Sequence, residues 1–370
     1  MASMLKRSAW EEALAEAGFP AGGACAPRLP AGHGRLLEEW AARGFQAGME
    51  WMVRTLPLRR DPALFHGEAR SVLAAGRPVP FGPHCLEGGG RVARYALGRD
   101  YHKEMGKALA ALEKALLRRA GPLPGRIRKA LDLHPVAERA LARQAGLGWI
   151  GRQGQLIHPR FGPWLLLGEL FLPFEVEPSR PLPERCGSCR ACVEACPTGA
   201  VVAPGVVDAR RCLSYWTIEA RGLPPRSLRP LWGDWFFGCD ACLEACPWGR
   251  KIPLPSRPPP LHRAVTELSL EDYLALRPEG FQEVLRGTPL RRPGPAGLKR
   301  NAAICAANLG RLDLAPLLED LLREETPLLR AAGAWALGRL KSGKESLEKA
   351  RAVEEDRAAA EEIEAALEEF

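Results

Sequence analysis

Apolar side chains recur every three to four positions over residues 8–17, 35–44 and 100–119, the period of a helix buried along one face. Between these stretches lie short β-prone runs near 69–75, 91–97, 155–158 and 164–172. Pro135 has the fixed φ that suits a first helical turn, so a short helix is expected over 136–145. The mixture predicts an α/β domain over residues 1–178.

Four prolines between Pro173 and Pro183 break any regular element, and the run Pro253 to Pro260 breaks the chain again. They set off a middle domain, 179–256. From about residue 296 the pattern becomes wholly helical. Leu317, Leu318, Leu321 and Leu322 mark one apolar face. Leu328, Leu329, Ala332, Trp335, Ala336, Leu337 and Leu340 mark the next, opened by Thr326-Pro327. This last part, 257–370 with its linker, resembles HEAT-type repeats, too few to form a solenoid alone. It is expected to serve as a docking surface or as a stabilising cap. The fold class expected is therefore α+β and multidomain.

A chain of 370 residues is long enough for two or three cores. Its N-terminus carries mixed charge with no apolar core of a signal peptide, and no stretch approaches a membrane span, so a cytoplasmic protein is expected. The net charge of +8 hides an asymmetry: residues 344–370 hold ten acidic and four basic side chains, leaving the body at about +14. Arg118, Arg119, Arg126, Arg128 and Lys129 cluster round one Gly/Pro-rich link. Such a body suits a polyanion such as RNA, because binding releases counterions; a solvated arginine-rich face gives the same composition.

Cysteine spacing changes the picture most. Cys186, Cys189, Cys192 and Cys196-Pro197 form one run, Cys239, Cys242 and Cys246-Pro247 a second, with Cys212 between them. A Cys-x2-Cys-x2-Cys loop wraps one cubane, and the cysteine of each Cys-Pro pair points away to ligate the other cluster. Two [4Fe–4S] clusters follow, in a ferredoxin-like middle domain. One takes Cys186, Cys189, Cys192 and Cys246; the other takes Cys196, Cys212, Cys239 and Cys242. A zinc site would use separated pairs, and disulfides would need an oxidising compartment. Cys25, Cys85 and Cys305 stand outside any motif. Trp216, Trp232, Trp235, Phe236 and Phe237 lie between ligands and suit packing near the clusters.

Two further motifs fail on context or spacing. Gly146-Leu147-Gly148-Trp149-Ile150-Gly151 matches a dinucleotide fingerprint, but a helix precedes it and a strand-prone segment follows, the reverse of what that loop needs. The run Asp100 to Gly106 nearly matches the Asp-x-His-x-x-Gly signature of some cobalamin proteins, with its glycine one place late. Read plainly, it is a helix start followed by surface residues. No Walker loop, HExxH or nucleophile elbow is present.

Together with these features, the segment Leu131 to Arg139 running into Ala145 to Gly151 resembles the epoxyqueuosine reductase family. So do Gly98 to His102, Gly168-Glu169-Leu170, Arg211-Cys212, Gly238-Cys239-Asp240, Arg300-Asn301-Ala302 and Ala334 to Gly338. The resemblance spans nearly the whole chain. It implies a cobalamin bound without a protein axial histidine, two clusters feeding it, and reduction of epoxyqueuosine to queuosine at the wobble position of tRNA, the last step in making that base. Asp132 then matches the proton donor and Arg59 a basic residue near the cofactor; backbone at Ala93, Leu156 and His158, with Asp240, would line the same pocket. Leu133 and His134 stand where the family more often has small residues, and 76–90 looks shortened. Asp132 would have to be held neutral by its surroundings to donate. Arg211, Lys299 and Arg300 are the expected RNA contacts. A monomer with an external electron donor and no membrane is expected. The alternatives are a cobalamin-dependent reductive dehalogenase, a ferredoxin-like electron carrier, or a tRNA-binding scaffold.

Overall fold

The computed structural model describes residues 4–122, 124–250 and 252–370. Two compact units interleave along the chain: the first holds 1–80, 101–209 and 241–256, the second 81–100, 210–240 and 257–370. Among the described residues, no helix is long and apolar enough to cross a membrane.

The first unit is built on one antiparallel sheet. Its strands are β1 (Ala21–Cys25), β2 (Ser71–Pro78), β3 (Arg128–Ala130) and, after a short hairpin of β4 (Trp149–Ile150) and β5 (Leu156–Ile157), β6 (Leu165–Leu172). The spatial order is β1–β2–β6–β3, with Ser71 opposite Leu172 and Arg128 opposite Phe171. Alternation of side chains gives the sheet two buried faces. Leu73, Ala75, Leu170 and Leu172 pack against helices α1 (Arg7–Glu16) and, after α2 (Leu56–Arg60), α3 (Tyr101–Ala120). Val72, Ala74, Ala130 and Phe171 pack on the other side, with Leu141 of α4 (Glu138–Gln144).

Strand β1 has the sequence Ala-Gly-Gly-Ala-Cys, poor in strand-forming residues, and the pattern of apolar positions gave no sign of it. Packing explains it. A methyl at Gly22 would overlap the Leu14 side chain, and one at Gly23 the Ala145 carbonyl, so only small residues let α1 and the end of α4 close on both faces.

In the second unit, Arg91–Val92 pairs with His84–Cys85 on one side and, in parallel, with Trp235–Phe237 on the other. The strand expected over 91–97 stops at Val92 because Asp240 Oδ2 takes the Arg94 N–H at 2.7 Å and a 3₁₀ turn follows at Arg94–Ala96. Trp232, Phe236 and Phe237 are fully buried here as packing. Residues 294–367 of this unit form five α-helices: α5 (Gly294–Asn308), α6 (Ala315–Leu321), α7 (Pro327–Leu340), α8 (Lys344–Val353) and α9 (Arg357–Leu367). Helix α7 is the centre, packed on α5, α6 and α9 through Leu329, Ala332, Ala336 and Leu337.

Two expected RNA contacts are corrected by this packing. Arg300 is fully buried: Nη1 donates to the Ala220 and Gly222 carbonyls at 2.9 and 2.7 Å, and Nη2 to the Trp216 carbonyl at 2.6 Å. Beside it Asn301 Nδ2 donates to the Thr217 and Phe236 carbonyls. The arginine thus closes the end of the helix Leu213–Ile218 that follows Cys212, satisfying carbonyls a helix leaves bare. Lys299 is spent on Glu324 at 2.5 Å. Arg211 is exposed.

The basic link near residue 120 is likewise largely neutralised within the first unit. Arg118 and Arg119 pair with Glu16, Lys129 pairs with Glu113, and Arg128 lies over the Phe65 ring.

Candidate active site and cluster pocket

Asp132 lies in the turn just past β3, and the first turn of α3 brings two donors to it. Tyr101 Oη donates to Asp132 Oδ2 at 2.7 Å, and His102 Nε2 lies 3.1 Å from the same oxygen. The two rings stack at 4.1 Å between centroids, which fixes both at once. The turn is tied by the His134 N–H donating to the Leu131 carbonyl at 3.0 Å, while the His134 ring stands edge-on to Phe65. Leu133, the other departure from the family pattern, points to solvent at 72 % exposure.

The Asp132 side chain is exposed, with 57 % of its surface meeting solvent. Burial pushes its pKa up, but the hydrogen bonds from His102 and Tyr101 and the charge of Arg59 outweigh burial and hold it below the ordinary carboxylate value. The neutral acid expected from the chemistry is therefore not what its surroundings stabilise; Tyr101, His102 and Arg59 favour the carboxylate.

Arg59, on α2, is oriented by Thr55 Oγ1 at 3.1 Å and the Val136 carbonyl at 3.3 Å, over the Trp51 ring. Behind Asp132 stand two acids. Glu138 stands at the start of α4; burial and the Asp132 charge push it up to about 8. Glu169, on β6 opposite both Ala74 and Ala130, is fully buried with neither carboxyl oxygen partnered, and burial lifts its pKa well above the ordinary value. Arg139 donates to the Gly154 carbonyl.

Leu156 is buried in β5. His158, just beyond, accepts the Arg160 and Phe161 N–H groups on Nδ1 at 3.0 and 3.2 Å, and burial with the Arg160 charge lowers its pKa to about 4. The ring is neutral, with Nδ1 already engaged. Ala93 and Asp240 belong to the second unit, where Asp240 holds the Arg94 N–H.

The first unit also gathers Cys186, Cys189, Cys192 and Cys246 round a single cavity of about 50 Å³, walled by Ile157 and Trp248. Trp149 meets Trp248 edge to face at 4.8 Å. Burial raises the Cys192 and Cys246 thiols. None of the eleven cysteines is joined in a disulfide, and among the described residues no three His, Cys, Asp or Glu groups close round a single ion. Cys196 accepts the Ala200 N–H at 3.2 Å. Cys196 and Cys242 belong to the first unit, Cys212 and Cys239 to the second.

Sequence pattern missed three members of this site. His102 was read as a surface residue in a failed cobalamin signature, and it instead holds Asp132 with Tyr101. Glu169 carried the available signal: one acid inside the strand Leu-Leu-Leu-Gly-Glu-Leu-Phe-Leu. Glu138 stands in the segment Leu131 to Arg139 that carries the resemblance, but the segment did not show its raised pKa, which comes from burial and the Asp132 charge.

Residues 185–249 match a family described as a 4Fe-4S double cluster binding domain, and residues 59–132 one described as Epoxyqueuosine reductase QueG, DUF1730. An epoxyqueuosine reductase of Synechococcus sp. (strain CC9605) is 38% identical over 306 residues, 82% of this chain and 94% of that protein. One of Escherichia coli (strain K12) is 35% identical over 318 residues, 81% of each. Among solved structures, epoxyqueuosine reductase from Streptococcus thermophilus superposes with a TM-score of 0.85 at 25% identity, covering 96% of this chain and 97% of that one. A crystal structure of epoxyqueuosine reductase with a tRNA-Tyr epoxyqueuosine-modified tRNA stem loop gives 0.84 at 27% identity, covering 98% of both.

Proposed function

The chain belongs to the epoxyqueuosine reductase family, and from that premise we propose that it reduces epoxyqueuosine to queuosine at the wobble position of tRNA, with Asp132 delivering a proton to the departing oxygen. The observation that carries this reading is the solvent-exposed Asp132, its Oδ2 held by Tyr101 and His102.

Turning an epoxide into an alkene consumes two electrons and two protons and releases water. As an iron–sulfur oxidoreductase with a double-cluster domain, the protein passes electrons singly. Cys186, Cys189, Cys192 and Cys246, gathered round one cavity, would hold the first cluster. By spacing, Cys196, Cys212, Cys239 and Cys242 would hold the second. Cobalamin, when bound, supplies a cobalt centre that transfers electrons to the substrate. In the first unit Arg59, Leu156 and His158 would line its site, His158 with Nδ1 engaged by the Arg160 and Phe161 N–H groups.

The state of Asp132 fits a donor that is charged at rest and loaded on demand. Seating the substrate would expel water from around Asp132, which strengthens the push of burial and favours the protonated acid. The loaded acid then protonates the leaving oxygen, and solvent supplies the second proton that completes the water. The solved relative with a bound stem loop supports tRNA as partner. The paired helices α5 to α9, HEAT-like in their stacking, would offer the docking surface, with exposed Arg211 toward RNA phosphate. We read the protein as a cytoplasmic monomer fed by an external electron donor.

The test is anaerobic reconstitution with iron, sulfide and cobalamin, then incubation with an epoxyqueuosine-bearing stem loop under excess reductant. Digested nucleosides should show queuosine. Fully loaded protein that leaves the epoxide intact would sink this reading.

A further inference from the structure

Gln153 is a buried side chain with no hydrogen bonds inside the protein. It is 3 % exposed, it lines the cavity ringed by Cys186, Cys189, Cys192 and Cys246, and neither Nε2 nor Oε1 has a partner. Arg152 beside it reaches the same loop: Nη2 donates to the Gly187 carbonyl at 2.7 Å, and its Nε is buried without a partner.

The glycine run that looked like a dinucleotide fingerprint explains how Gln153 reaches this place. Helix α4 precedes it and the β4–β5 hairpin follows, so no phosphate loop forms. A methyl at Gly148 would overlap the Ile157 carbonyl, and one at Gly151 would overlap the Gln153 side chain itself. The bare backbone closes the hairpin and leaves Gln153 the space to lie against the cysteines.

Buried polar groups without partners are rare and call for a missing partner. Here the missing partner must accept hydrogen bonds, sit among four thiols and be excluded from solvent. The sulfide and thiolate sulfurs of a cubane meet those terms. We propose that Gln153, with Arg152, donates hydrogen bonds to the sulfurs of the cluster held by Cys186, Cys189, Cys192 and Cys246, and thereby raises the reduction potential of that cluster alone. One-electron reduction adds negative charge that is shared with the sulfurs, and donors aimed at them favour the reduced form. The proposal rests on those four cysteines being cluster ligands.

The test uses full-length protein reconstituted with iron and sulfide, without cobalamin. Iron content near eight per chain, two clusters of four, establishes the ligand reading by itself; protein that takes up no iron defeats that reading rather than this one. Redox titration followed by EPR then compares the parent with Gln153→Met, close in length but lacking the donor, and Gln153→Glu. The potential of one cluster should fall in Gln153→Met and fall further in Gln153→Glu, with the other unmoved. Full iron with unchanged potentials, or equal shifts in both clusters, overturns the proposal. If either variant loses iron, the unsubstituted protein still decides: ¹⁵N in glutamine side-chain amides should give a hyperfine coupling to a reduced cluster, and its absence overturns the proposal.

Discussion

The charge of Asp132 lifts the pKa of Glu138, so the two acids belong to one linked pair. Their pKa values part in opposite directions: donors and Arg59 hold Asp132 down, while burial and the Asp132 charge lift Glu138 to about 8. At neutral pH the pair holds one proton and one charge.

Stability should fall as pH rises, and Glu169 should be one cause. Its folded pKa is raised, so its contribution is whole below the ordinary value of 4.5 and is lost as the pH climbs; Glu138 acts the same way from 4.5 toward about 8. Each group adds at most about 1.4 kcal/mol per pH unit to that decline. Glu169→Gln should flatten the line in urea unfolding between pH 5 and 8 and gain on the parent as pH increases. Parallel lines for the two proteins would mean Glu169 ionises freely in the folded state.

Asp132→Asn should keep both clusters, cobalamin and tRNA binding while turnover drops by roughly 10²–10⁴, the usual share of general acid catalysis. The amide fits the same turn but carries no acidic proton. Single-turnover conversion in samples matched for cofactor occupancy is the measurement. Near-normal conversion would remove Asp132 from the chemistry.

Arg300 and Arg211 should separate structure from RNA binding. Arg300→Ala leaves the Ala220, Gly222 and Trp216 carbonyls without their donor, and unfolding should become easier by at least about 2 kcal/mol. Arg211→Ala should leave melting unchanged and make the slope of log affinity against log salt shallower by about 0.7–0.9, one phosphate's worth. The reverse pattern would return Arg300 to the RNA surface.

Gly23→Ala should destabilise the first unit by about 1–3 kcal/mol, since the added methyl meets the rigid Ala145 carbonyl, not a movable side chain. Thermal unfolding is sufficient to see it. An unchanged midpoint would show that the end of α4 can yield.

What the sequence disclosed follows from how local each signal is. Helices at Arg7–Glu16 and Tyr101–Ala120 and the strand Leu165–Leu172 lie close to the expected 8–17, 100–119 and 164–172, because each writes its own periodicity. Cysteine spacing is equally local. Strand β1 is not: its glycines are there because of α1 and α4, which are distant in sequence. Nor could charge patterning tell that Arg300 turns inward to cap a helix some eighty residues earlier, or that Tyr101 and His102 would set the charge of Asp132. Such facts exist only once the tertiary contacts do.

The interleaving of the two units sets an order in time. A chain leaving the ribosome has every segment of the first unit by residue 256, whereas 81–100 and 210–240 must wait for 257–370. Cys186, Cys189, Cys192 and Cys246 can therefore assemble early. The helix after Cys212 lacks its Arg300 cap until synthesis is nearly over. Iron would enter such a chain in two instalments, the first as soon as Cys246 clears the ribosome.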